Sequence, residues 1–117
     1  MSTTPKIFGQ SKPTDTINDN LLYRVPVSKQ AQVTVFVANQ DPNPEAFRIA
    51  LIPSASLPAT APNTLQANVV NYISYDTALI GNGVFAVSSI GLNSGDAIYV
   101  KSQNGNISFV ATGIEFA

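Results

Sequence analysis

From Leu21 onward the apolar side chains recur every second residue. Leu21, Tyr23 and Val25 share one parity before Pro26 ends the run. Val33, Val35 and Val37 alternate with Thr34, Phe36 and Ala38, and both parities are apolar enough for a strand covered on two sides. Phe47, Ile49 and Leu51 alternate with Ala46, Arg48 and Ala50. Ile73, Tyr75, Thr77 and Leu79 continue the pattern, then Val84 to Ile90, Ile98 and Val100, and Ile107, Phe109 and Ala111. After Gly113 the apolar positions, Ile114 and Phe116, change parity, which predicts a bulge at the glycine. Short runs with a period of two, rich in Val, Ile, Phe, Tyr and Thr, predict β-strands.

The punctuation agrees. Asn82-Gly83 and Asn104-Gly105 each separate two apolar runs and predict hairpins through type I′ turns. Asn93-Ser94-Gly95-Asp96 predicts a further turn, and Asp41-Pro42-Asn43-Pro44 links the second and third runs. The expected fold class is all-β, a single antiparallel β-sandwich of about seven to eight strands, immunoglobulin-like or jelly-roll-like. A small closed barrel is the competing architecture. Residues 1–20 are polar, with one apolar pair at Ile7-Phe8, and are expected to form an extended N-terminal arm; residues 21–117 form the sandwich domain. Ile7 and Phe8 would dock that arm on the body or on a neighbouring subunit. Pro53 to Gln66 interrupts the rhythm and is too long for a hairpin loop. It reads either as a crossover between sheets or as a loop that contacts a neighbour. Leu65, Val69 and Ile73 sit four apart, consistent with a helical turn around 64–72.

Composition changes the picture on the side of chemistry. The 117 residues suffice for one domain, and only 11% are charged, less than half of the roughly 25% of an average soluble domain. Six Lys and Arg against seven Asp and Glu leave a net charge of -1. A surface so poor in charge suits a subunit whose neighbours cover part of it. The chain has no His and no Cys. This excludes the Ser-His-Asp and Cys-His nucleophiles, the usual zinc ligand sets, disulfides and haem or iron–sulfur ligation. No basic cluster supports nucleic-acid binding. The N-terminus lacks the basic-then-apolar order of a signal peptide, and no apolar run is long enough to span a membrane.

The acids that remain do not read as a catalytic pair. Asp41 and Glu45 lie in a turn, Asp76 follows Tyr75 in a strand, and Asp96 opens another. Arg24 and Arg48 are strand-borne and placed to meet Asp76 across a sheet. Gly81-Asn82-Gly83 and the segment from Ser102 to Gly105 lack the following helix that a phosphate loop needs. The aromatic residues Tyr23, Tyr72, Tyr75, Tyr99, Phe36 and Phe85, together with Asn and Gln, leave a glycan-binding face open. The expectation is a protein that is not an enzyme and has no catalytic residues, no cofactor and no metal.

The order of segments carries a resemblance. Ile7-Phe8-Gly9-Gln10-Ser11 and a polar spacer precede Leu22-Tyr23-Arg24-Val25-Pro26 and the run from Ala31 to Asn39. Ala46-Phe47-Arg48-Ile49-Ala50, Asn71 to Asp76, Ser94 to Val100 and Gly105 to Gly113 follow. This arrangement, over nearly the whole chain, resembles a family of small virion structural proteins of tailed bacteriophages, including those infecting cyanobacteria. The resemblance implies a β-sandwich subunit of a phage particle, located in the virion. A capsid decoration (cement) protein binding the shell lattice through its arm and loops is the first expectation, and a tail, neck or fibre component the second. The implied partners are the major capsid protein or other virion proteins and further copies of the same chain, with no nucleic acid and no membrane. Ile7, Phe8, Phe36, Leu57, Leu65 and Tyr72 are the candidate assembly-interface residues.

Overall fold

The alternating runs become strands in the computed structural model, which describes residues 3–117. Among the described residues there are nine: β1 (Thr3–Ser11), β2 (Asp19–Arg24), β3 (Gln30–Asn39), β4 (Glu45–Ile52), β5 (Thr64–Leu65), β6 (Tyr72–Leu79), β7 (Val84–Leu92), β8 (Ala97–Ser102) and β9 (Ile107–Phe116). They form two antiparallel sheets, one ordered β1-β9-β3-β7 and the other β5-β2-β8-β4-β6. With β5 a two-residue extension at one edge, eight long strands remain, four in each sheet. The chain changes sheet at every step along them except from β4 to β6, which is the winding of a double-sheet jelly roll. The sheets remain separate, each with two edges, so the architecture is a sandwich and not a closed barrel.

Period-two alternation sends one parity of each strand inward. Val33, Val35 and Val37 of β3 meet Ile107, Phe109 and Ala111 of β9 on one inner face. Phe47 and Ile49 of β4 with Ile98 and Val100 of β8 supply the other. Phe47 lies edge-on to Phe109 with ring centroids 6.2 Å apart, joining the two layers.

Four local expectations are corrected. Neither Asn-Gly pair makes a hairpin: β6 and β7 lie in different sheets, as do β8 and β9. A type I′ turn needs positive φ at both central residues. Here only Asn82 (φ 56°) and only Gly105 (φ 82°) have it, so each turn carries the chain over the sandwich edge instead of back along its own sheet. Gly113 is not a bulge. β9 runs through it in unbroken register with β3, Ile114 and Phe116 lie outward, and Glu115 is buried. The glycine is required for approach, because a Cβ there would collide with the Gln32 carbonyl oxygen of the neighbouring strand. In β2 the register slips between Leu21 and Tyr23, so Leu22 and Tyr23 both join the main core while Leu21 turns to the other side. Of the helical turn expected around 64–72, only a single 3₁₀ turn at Val69–Asn71 forms, and Thr64–Leu65 is strand.

Candidate assembly surface

The two outer faces of the sandwich differ. On the five-stranded sheet, Ala50, Ile52, Ala97 and Tyr99 point away from the main core yet are buried. The segment between β4 and β6 folds back over them, with Leu57, Leu65, Ala67 and Tyr72 packed on top and Leu21 beside them. Hydrogen bonds fasten this cover. The Tyr99 hydroxyl donates to the Pro62 carbonyl at 2.6 Å. Arg24 donates to the carbonyls of Gly95, Pro58 and Ala59 at 2.9, 2.8 and 3.1 Å. Asp19 accepts from the Ala67 N–H at 3.0 Å and from the Tyr72 hydroxyl at 2.6 Å. Burial raises the pKa of Tyr99, and burial together with Asp19 pushes that of Tyr72 up to about 12.

No segment of the described chain covers the outer face of the other sheet. Register and alternation place Pro5 and Ile7 of β1, Val110, Ile114 and Phe116 of β9, Phe36 and Ala38 of β3, and Val84 and Ala86 of β7 on it. The polar residues on it include Thr3, Gln10, Gln30, Gln32, Thr34, Ser88, Ser108 and Thr112. Among the described residues, none of the side chains on this face carries a charge. The outward parity of β3 is apolar only at Phe36 and Ala38, with Gln30, Gln32 and Thr34 before them, and the chain itself covers only the inward parity. Phe36 is 44% exposed at the middle of the sheet and Ile7 63% exposed toward its β1 edge.

The N-terminal segment forms part of this face. Thr3–Ser11 runs antiparallel along β9 as the edge strand of its own sheet. Phe8 turns inward at a slip in register and stacks on Tyr23 at 4.4 Å. Lys6 pairs with the buried Glu115 at 3.1 Å. Burial and the Glu115 carboxylate push the Tyr23 pKa up to about 12. Met1 and Ser2 of the expected arm lie outside the described residues. Of the six candidate interface residues, Ile7 and Phe36 are exposed on the bare face. Phe8, Leu57, Leu65 and Tyr72 pack against the chain's own body. Val110, Ile114, Phe116 and Val84 complete the face but were not candidates. Their outward parity in strands next to β3 is the signal that marks them, and it needs the strand order to be read.

The acidic residues serve loops and turns. Asp41 accepts from the Asn43 N–H at 2.9 Å, and Glu45 from the N–H groups of Asn104 and Asn106 at 3.0 and 3.2 Å. Glu45, expected in the turn with Asp41, instead opens β4, and the Asn106 amide bridges the two carboxylates at 2.9 and 3.0 Å. Asp96 accepts from the N–H groups of Ser54 and Asn93, both at 2.9 Å. Asp76 meets Arg48 through two hydrogen bonds of 2.7 and 3.1 Å, while Arg24 is engaged elsewhere. This partnership holds the Asp76 carboxyl below the usual carboxylate range and raises the Arg48 pKa. Among the described residues, no three His, Cys, Asp or Glu side chains gather as a metal site, and no helix is long and apolar enough to cross a membrane.

Comparison of the chain with protein-family models, with curated proteins and with solved structures gives no match.

Proposed function

We propose that the chain is a non-enzymatic structural subunit of a tailed-bacteriophage particle, a capsid decoration protein that seats many copies on the shell lattice. The observation that carries this reading is the uncharged, uncovered outer face of the β1-β9-β3-β7 sheet, set opposite a face that the chain covers with its own loop. Four strands about 4.8 Å apart and roughly 30 Å long offer on the order of 600 Å². Counted on both partners, about 1,200 Å² meets the lower bound of a specific interface. A lattice repeats such a contact, so each one needs only modest strength, and an uncharged face fits a neighbour without needing paired charges. Double-sheet jelly rolls serve in viral capsids and in lectins, so the fold is compatible with the role but does not choose it.

The second location, in the tail, neck or a fibre, would use the same face against a different neighbour. Copy number per purified particle, measured by quantitative mass spectrometry against the major shell protein, separates the two. A count that scales with the shell lattice supports decoration. A count matching a single ring on the tail axis moves the chain to the neck, tail or a fibre. Its absence from particles overturns the virion reading.

A further inference from the structure

On the opposite side of the sandwich, the register between β4 and β6 slips so that Tyr75 and Asp76 together face Arg48. Asp76 has φ 50°, a conformation that a non-glycine residue adopts at a cost and that often accompanies a side chain re-aimed for a purpose. The Arg48 guanidinium packs on the Tyr75 ring at 3.9 Å, fixing its orientation, while Tyr75 stays 52% exposed. Tyr72 stands edge-on to it with centroids 5.0 Å apart. Beside them lies an open depression of about 420 Å³, within the size range of small-molecule sites, floored in part by Asp19, Gln66 and Asn68. Asp19 is 2% exposed, and its Oδ1 finds no hydrogen-bond partner among the described residues, although Oδ2 has two. A buried carboxylate oxygen left unpaired is costly, and a hydroxyl donor supplied by a ligand would satisfy it.

We propose that this depression binds a saccharide. A sugar ring offers an apolar C–H face to the fixed Tyr75 ring and hydroxyl donors to Asp19, with the Gln66 and Asn68 amides able to both donate and accept. The charges disfavour a phosphate or other anion: among the described residues Arg48 is the one cation lining the depression, it is committed to Asp76, and the Asp19 carboxylate would repel a negative ligand. The site does not depend on where the chain sits on a particle. A subunit seated by its bare face would nevertheless turn the depression outward.

The test is nuclear magnetic resonance of the isotope-labelled full chain, titrated with methyl glycosides of glucose, galactose, mannose, rhamnose and N-acetylglucosamine, and with their β-linked disaccharides. Concentrations of up to about 10 mM populate a site whose Kd is near 1 mM. The expected result is saturable shifts at Asp19, Gln66, Asn68, Tyr72 and Tyr75 with at least one of these sugars. Tyr75→Ala, at an exposed position, should weaken binding about tenfold with the rest of the spectrum unchanged. Gln66→Ala, also exposed, should weaken it in the same direction. No shifts with any of the sugars, shifts centred elsewhere, or undiminished binding by folded Tyr75→Ala would each overturn the proposal. Because the isolated chain is used, none of these outcomes bears on the copy-number result.

Discussion

Phe36→Ser tests the bare face directly. Phe36 sits at the middle of that sheet, between Val110 and Ala86 on the neighbouring strands, and is 44% exposed. An aromatic side chain offers roughly 200 Å², so about 90 Å² remains to be covered by a partner. At roughly 25 cal/mol per Å² this is worth about 2 kcal/mol per contact, or about thirtyfold in affinity. The cost to the fold is of similar size, because the other half of the ring, roughly 110 Å², already packs on its cross-strand neighbours. By the same figure this is at most about 3 kcal/mol, a fall of on the order of 10 °C in Tm, so binding is measured well below the variant's transition. The assay adds purified wild-type or variant chain to particles assembled without it and measures bound copies against free concentration. The variant curve should shift by about thirtyfold while circular dichroism shows an intact fold. Val70→Ser is the control: Val70 is 88% exposed but lies on the covered side of the sandwich, so it should bind as wild type does. If exposed apolar area alone drove attachment, Val70 would matter more than Phe36. Superimposable wild-type and Phe36→Ser curves would refute the assignment of the interface to this face.

Three further outcomes follow from the packing. Gly113→Ala forces a Cβ against the Gln32 carbonyl and should destabilise the fold by at least about 2 kcal/mol, read as a lower denaturant midpoint; an unchanged midpoint would mean that β3 and β9 can separate there without penalty. Leu57→Ala should cost about 1–2 kcal/mol, below the range for a fully buried leucine, and speed proteolysis between β4 and β6 before the body is cut. If cleavage is no faster, that loop is not held by its apolar contacts. At alkaline pH, Tyr23 and Tyr72 should ionise near 12 in the folded state and near 10 once unfolded. Their raised values mean that stability is intact below about pH 10 and falls as pH climbs toward 12. Ultraviolet absorbance of tyrosinate followed alongside circular dichroism checks this, and ionisation of all four tyrosines near pH 10 with the fold retained would contradict it.

The inward parities were legible because burial of one face leaves a period-two record: Val33, Val35, Val37, Phe47, Ile49, Ile98, Val100, Ile107, Phe109 and Ala111 are all in the core. Strand partnership was not legible. Asn82-Gly83 and Asn104-Gly105 report a tight reversal of the backbone, but whether the two strands then share a sheet depends on residues far away in sequence. The same limit hid the slips at Leu21–Tyr23 and at Tyr75–Asp76, since a bulge exists only relative to the strand beside it. It also explains the uneven reading of the surface. Phe36 belongs to a run read as apolar on both parities, which marks it for cover without saying by what. Leu57 and Leu65 lie in the long segment that reads either as a crossover or as a contact loop, and sequence pattern does not distinguish a loop that covers the chain's own sheet from one that reaches another molecule. The meeting of Arg48 with Asp76 was legible as complementary charge on strands. Asp19 was not, because its burial depends on the loop that closes over Tyr72.

The place of β9 in its sheet has a consequence for the order in which the protein is made. β9 is the last of the nine strands to leave the ribosome, yet it lies between β1 and β3, and β8, the second to last, lies between β2 and β4. β1 has no strand partner until β9 arrives, and the halves of the other sheet that hold β2 and β4 stay apart until β8 is in place. Neither sheet can therefore close until β8 and β9 have been made, and folding proceeds with the slow, non-local pairing typical of β-sandwiches. The uncharged face with Phe36 at its middle is built on β9, so it does not exist before β9 has paired. Chains crowded on a polysome before that pairing thus carry no finished sticky surface, and self-association or docking can begin only once β9 is in place.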